Sequence, residues 1–283
     1  MAASTTLFWP LPSFDTMNLH IVPARTGLHW AMQGVRTFWR QPLAMSGLFF
    51  LFMASVSIVS MVPFVGGALA LVILPALTLG MMAATQTAVQ GKFPMPSVLF
   101  VALKAGPQRK TMFHLGGWYA LLFLGLMVVS MLADGGTFAK VYFGGSPMTP
   151  EVVNTESFQA ALWISMVLYI PVSMMFWHAP ALVYWHGLPA GKSLFFSLVA
   201  CWRNLKAFSV YVLVWIGIFT GSGIVALLVA SALGDAELMM PILMPMGLMV
   251  TAMFLTSILF TVQSCFTPPA HPDANSHTPP SMD

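Results

Sequence analysis

The sequence predicts an all-α integral membrane protein: six transmembrane helices, with amphipathic helices lying on the cytoplasmic surface. Three observations carry this. The 283 residues are 58% hydrophobic and 7% charged, whereas a soluble domain carries about a quarter charged residues. The apolar residues gather into runs of about 20, the length that crosses hydrocarbon as a helix, where helices and closed barrels are the structures that satisfy their own backbone. Finally, the basic residues collect before the first run and in alternate connections between runs. Mean hydropathy is +0.83.

The opening segment MAASTTLFWPLPSFDT lacks the basic start of a signal peptide, so residues 1–17 are expected to be a disordered extension. In GLHWAMQGVRTFWRQP, Leu28, Met32, Val35 and Trp39 share one helical stripe, and His29, Gln33, Arg36 and Arg40 form the stripe beside it. That is the pattern of a helix in the headgroup plane. Spans one and two, about 43–62 and 65–89, are separated by PFVGG, a Pro/Gly turn without charge, and so form a hairpin. Before span three, FPMPSVLFVALKAGPQRK has a Pro-marked start, a short apolar body and a basic exit at Lys104, Arg109 and Lys110. Spans three and four cover about 112–133 and 158–183. LPAGKSLFFSLVACWRNLKAF then repeats the surface-helix arrangement, ending in Arg203 and Lys206, before spans five and six at about 207–233 and 241–266. Together residues 18–266 form one membrane domain; the Pro- and Ser-bearing tail, 267–283, cannot bury a core and is expected to be disordered.

Of the 11 Lys and Arg, all but Lys140 fall on one side of this threading, and Lys140 shares its loop with Asp134, Glu151 and Glu156. Cytoplasmic loops retain positive charge, so both termini are predicted to be cytoplasmic in a bacterial inner membrane. A net charge of +3 with pI near 9.0 would also suit nucleic acid. The segregation instead assigns the cations to topology and to a bilayer with anionic headgroups, with no nucleic-acid partner. Arg36, Arg40, Lys104, Arg109, Lys110, Arg203 and Lys206 are the expected membrane-surface residues. Cys201 and Cys265 fall on the cytoplasmic side at no metal-binding spacing and read as small buried side chains.

Setting Pro94 on Pro189 also pairs Leu99 with Leu194, Phe100 with Phe195, Leu103 with Leu198, Ala105 with Ala200 and Phe113 with Phe208. WRQPLA and WRNLKA stand before spans one and five. These matches predict three repeats of surface helix plus transmembrane hairpin, with convergent composition as the alternative. Small residues recur every fourth position, as Ala76, Gly80, Ala84 and Ala88 in span two and as Ser222, Ala226, Ala230 and Gly234 in span five, where Gly217 and Gly221 add a GxxxG. Such stripes let helices approach closely in lipid, first within the chain, with another membrane protein or a second copy as the alternative partner.

FWHAPALVYWHG places His178 near the inner edge of span four and His186 at its wet boundary. In an unbroken helix the two rings stand about 80° and two turns apart, too far to share one metal ion. Pro171 and Pro180 can interrupt the helix, and interrupted spans often line transporter sites. His178, Pro171, Pro180 and, in span two, Gln86 are therefore the candidate ligand or gating residues, a structural role for His178 being the plainer alternative. The 23 Met residues, including Met240, Met244, Met249 and Met253, are at helical spacing that can pass Cu(I), yet thioethers equally fill apolar gaps. No metal or cofactor is expected. Ser-His-Asp order, HExxH, a phosphate-binding Gly loop and clustered carboxylates are all missing from the sequence, and no enzyme is expected.

The segments VPARTGLHW, FWRQPLAMSGLFFLF, FWHAPALVYWHG and KSLFFSLVACWRN resemble a family of uncharacterised proteobacterial inner-membrane proteins, over roughly residues 18–234. The resemblance implies the fold and location and no particular activity. The layout of surface helix plus hairpin is also similar to the membrane domain of some glycerophosphodiester phosphodiesterases, whose catalytic domain has no counterpart here. On this footing a non-catalytic membrane scaffold or envelope interaction protein is the first expectation. A small-solute or lipid transporter, or lipid-handling protein, with a site near span four is the second.

Overall fold

Hydrocarbon leaves a crossing backbone little choice but to bond within its own helix, and each predicted span is helical. A computed structural model describes residues 19–234 and 236–266. The expected disordered segments 1–17 and 267–283, and Asp235 in the last turn, lie outside the described residues. The chain runs α1 (Thr26–Arg40), α2 (Pro42–Ser60), α3 (Gly66–Val89), α4 (Arg109–Asp134), α5 (Thr137–Tyr142), α6 (Pro150–Val153), α7 (Glu156–Trp177), α8 (Ala179–His186), α9 (Ala190–Arg203), α10 (Leu205–Ala232) and α11 (Met239–Cys265). Six segments are long and apolar enough to cross a membrane: α2, α3, α4, α7 with α8, α10 and α11. Among the described residues no strand forms, and one isolated antiparallel bridge joins Leu19 to Phe266.

α3 is the most enclosed of the six, packed against α2, α4 and α11, while α7 leans on α4 and α9, and α10 on α1 and α11. Both α7 and α10 leave most of their surface facing outward. Shape rather than polarity holds this centre together. Ala76, Ala84 and Ala88 are buried along α3, and Gly80 lets the backbone of Leu99 lie directly on the helix, where a Cβ would overlap the Leu99 carbonyl. Gly116 does the same for α4 against the Val72 carbonyl. In α10 the small-residue stripe is buried at Ala226 and Ala230, but Gly217 and Gly221 meet no neighbouring atom within 4 Å of a built Cβ. Among the described residues that GxxxG makes no seam.

α1 carries a third face that the two-stripe reading did not anticipate. Leu28, Met32 and Trp39 are exposed as a lipid-facing stripe requires, but Trp30 and Phe38 are fully buried against the bundle. Gly27 admits the α10 backbone at Ala207 and Tyr211, Gly34 admits Ser257 of α11, and Trp30 Nε1 donates to Ser264 Oγ at 2.9 Å. The segment before α1 is also tied down. Asn204, at the α9 to α10 turn and 1% exposed, accepts from the Val22 amide through Oδ1 at 2.8 Å and donates from Nδ2 to the His20 carbonyl at 3.0 Å. The His20 amide in turn donates to the Cys265 carbonyl at 2.9 Å.

The expected surface helix before span three is corrected. Pro96–Val98 and Val101–Leu103 form two short 3-10 turns instead. Pro94 and Pro96 leave no amides to donate there, Gly106 and Pro107 close the segment, and Leu99 is drawn fully into the groove above Gly80. With it the middle repeat fails as a structural unit: Ala105 is exposed where its sequence counterpart Ala200 is buried. α1 and α9 remain as helices beside the bundle.

Candidate functional site

Span four does break, at a single point. Pro180 occupies the first turn of α8, where its missing amide is harmless, and the helical ladder is interrupted at His178. The pair that an unbroken helix would join, the His178 amide and the Met174 carbonyl, is bridged by a side chain from α9. The His178 N–H donates to Ser197 Oγ at 2.9 Å, and the Ser197 hydroxyl donates to the Met174 carbonyl at 2.7 Å. One turn further along α9, Cys201 Sγ lies 3.6 Å from the same carbonyl and 3.7 Å from His178 Nδ1. Burial pushes the Cys201 thiol well above its ordinary pKa, so it stays a protonated, inert filler rather than a nucleophile.

His178 is therefore sealed. It is fully buried, its ring is flanked edge-on by Phe208 and Phe266, and Nε2 has no partner among the described residues. His186, the last residue of α8, is also buried, with Nδ1 unpartnered beside Phe266. Gln86 joins His186 and Gln263 around a void of about 20 Å³, room for about one water molecule. Pro171 does not interrupt its helix: α7 runs unbroken through it, with the ring exposed. The expected interruption at Pro171 does not form; the break lies at His178, before Pro180. The sequence-predicted residues do not converge on one site, and among the described residues no three His, Cys, Asp or Glu side chains gather as a metal would require.

The space in the bundle lies on the other side of the break. A central cleft of about 410 Å³ opens between α3, α4, α7, α8 and α11, with Pro75, Tyr119, Tyr169, Ser173, Trp177 and Pro180 among its walls. Towards the α5 end it meets a second cleft of about 300 Å³ that shares Tyr119 and Tyr169 and reaches Ser165 and Tyr142. Towards the α9 end Ser173 and Trp177 also line a groove of about 480 Å³, bounded by Cys201, Phe208 and the exposed Ile170, Val212 and Leu213. The second cleft lies along Leu162 to Tyr169 of α7. The central cleft and the groove both lie along Tyr169 to Trp177, the cleft facing α3, α4 and α11 and the groove facing α9 and α10. Their walls are apolar, and among the described residues no charged side chain lines any of them.

What polarity they hold is hydroxyl. Ser165, Tyr169 and Ser173 stand one turn apart on α7, and Tyr169 Oη lies 3.4 Å from Tyr119 Oη of α4. Thr78 and Ser173 donate to their own helices, at the carbonyls of Leu74 and Ile170, whereas Ser165 Oγ is buried with no partner among the described residues. Burial pushes the Tyr142 hydroxyl above its ordinary pKa, so it too stays neutral. Aromatic rings form a ladder along the same path, Tyr142 to Phe123, Phe123 to Tyr119 and Tyr119 to Phe176. The sequence carried a sign of this in the four-residue spacing of Ser165, Tyr169 and Ser173, and again of Ser193, Ser197 and Cys201. Which face turns inward was not readable from spacing. The basic residues Arg36, Arg40, Lys104, Arg109, Lys110, Arg203 and Lys206 are all exposed, as expected.

A bundle of six apolar spans with uncharged, laterally exposed clefts is a multi-pass integral membrane protein. Comparison with known proteins narrows the class. The chain is 38% identical over 254 residues to a probable inner membrane protein of Burkholderia thailandensis, an overlap covering 88% of this chain and 94% of that relative. It belongs to the same family of inner-membrane proteins. No protein-family model matches it, and no solved structure matches it.

Proposed function

We propose that this protein is a non-enzymatic, lipid-handling protein of the inner membrane, holding a long apolar chain in the clefts along α7. One observation carries the reading: three adjoining spaces are lined by α7, walled by apolar and aromatic groups and supplied with hydroxyls but, among the described residues, no charged side chain. A charged solute or ion there would lose its hydration without a compensating partner, whereas a lipid chain enters from the bilayer at no such cost. The same lack of charge supports the reading against acid–base chemistry.

The exposed Arg36, Arg40, Lys104, Arg109, Lys110, Arg203 and Lys206 support contact with anionic headgroups of the cytoplasmic leaflet, with both termini on that side. That belt also favours the scaffold reading, in which the protein grips the membrane and meets other membrane proteins; nucleic acid has no place in either reading.

The test is mass spectrometry of the full chain released from nanodiscs. Wild-type protein is expected to retain a lipid that Ser173→Phe, filling space shared by two clefts, expels, while Val167→Phe on the outward face of α7 retains it. Wild-type protein with no retained lipid, or a Ser173→Phe variant that holds it as firmly, overturns the proposal.

A further inference from the structure

Resting on the lipid-handling reading, we infer that the occupant of the central cleft carries an uncharged, flat, carbonyl-bearing head on an isoprenoid tail, the chemistry of an isoprenoid quinone. The shape of the site argues first. Tyr119, Tyr169, Phe176, Trp177 and Phe254 line about 410 Å³, within the range of small-molecule pockets, and aromatic walls take a planar ring by offset or edge contact. An acyl chain alone needs no such walls.

The hydrogen-bond inventory argues next. The contact between the Tyr119 and Tyr169 hydroxyls uses one of their two protons. Whichever donates, the other O–H is left to donate into the cleft that both rings line, Tyr119 half-buried and Tyr169 39% exposed. Thr78 and Ser173 already donate to Leu74 and Ile170, so the tyrosine proton is the donor on offer in this cleft. Ser165 presents a second, one turn away on α7, buried and unpartnered at the adjoining cleft. Ser165 and the tyrosine pair thus set two hydroxyl donors along α7, from which the carbonyl oxygens of such a head can accept.

Charge excludes the ordinary alternatives. With no cation along the clefts, a phosphate head would be uncompensated at this depth. The tail has an exit in the groove between α7 and α10, whose rim residues Ile170, Val212 and Leu213 are exposed.

The experiment is equilibrium binding of a radiolabelled short-tail benzoquinone to the full chain in nanodiscs, with diacylglycerol and phosphatidylglycerol as competitors. Saturable binding is expected, displaced by unlabelled quinone and not by either competitor. It should weaken about ten-fold in the Tyr119→Phe, Tyr169→Phe double variant, which keeps both rings, and by a similar factor in Ser165→Ala. Unchanged affinity in both variants overturns the inference. Equal displacement by diacylglycerol or phosphatidylglycerol also overturns it, while leaving lipid handling intact. Saturable binding of none of the three lipids overturns both.

Discussion

The hydroxyl of Ser197, on α9, stands in the helical ladder of span four between the amide of His178 and the carbonyl of Met174, at 2.9 and 2.7 Å. A neighbouring helix thus completes the backbone that Pro180 disrupts, as membrane helices with interior prolines require. Ser197→Ala is expected to lower stability by about 1–3 kcal/mol, the cost of leaving the buried His178 amide unpaired, while the Met174 carbonyl keeps the Cys201 thiol. In a Pro180→Ala background the loss should be much smaller, because a continuous helix closes the same bond itself. Thermal unfolding of the four proteins in one detergent checks this; strict additivity would count against the bridge.

Glycines at close approaches should divide cleanly from glycines facing lipid. Gly80→Ala and Gly116→Ala place a methyl into the carbonyls of Leu99 and Val72 and are expected to cost about 1–3 kcal/mol each as overpacking. Gly217→Ala meets nothing within 4 Å and should be neutral or slightly stabilising through helix propensity. Unfolding midpoints that ranked the three alike would contradict the packing described.

Asn204 ties residues 20–22 to the ends of α9 and α11. Asn204→Ala should cost about 1–3 kcal/mol and expose the segment before Thr26 to protease at least ten-fold faster than in wild type, with the bundle still folded. Limited proteolysis followed by mass spectrometry of the N-terminal fragment reads this directly.

Cys201 makes a pH prediction. Its folded pKa is raised by burial, while the unfolded thiol ionises near 8.5. A group with a raised folded pKa contributes stability that is fully present below the unfolded value and lost as pH climbs above it. The difference in unfolding free energy between wild type and Cys201→Ala should therefore be constant through neutral pH. Above about pH 8.5 it should shift against wild type, by roughly 1.4 kcal/mol per pH unit at most. A difference that stayed flat to pH 10 would show the thiol to be solvated.

Much of this fold was legible before any coordinates. The six spans, the charge-free hairpin turn at PFVGG and the exposed basic residues all follow from hydropathy and charge read along the chain. The surface helix expected before span three was misread because its apolar body looks the same whether it faces lipid or the groove over Gly80. The cleft was missed for a related reason: Ser165, Tyr169 and Ser173 sit in a run that hydropathy scores as uniformly apolar, while the more conspicuous His178 is sealed beside Cys201.

Whether a segment enters the bilayer is settled by the solvation of that segment alone, and so the sequence by itself determined membrane embedding, the number of crossings and the grouping of the cations. Which apolar face meets protein and which meets lipid was decided only by the tertiary structure. Lipid tails and leucine side chains are equally apolar, so transfer free energy does not distinguish the two faces. Steric fit does, as at Gly80 against Leu99 and Gly116 against Val72, together with the few hydroxyls, Ser197 foremost, that close backbone bonds across helices.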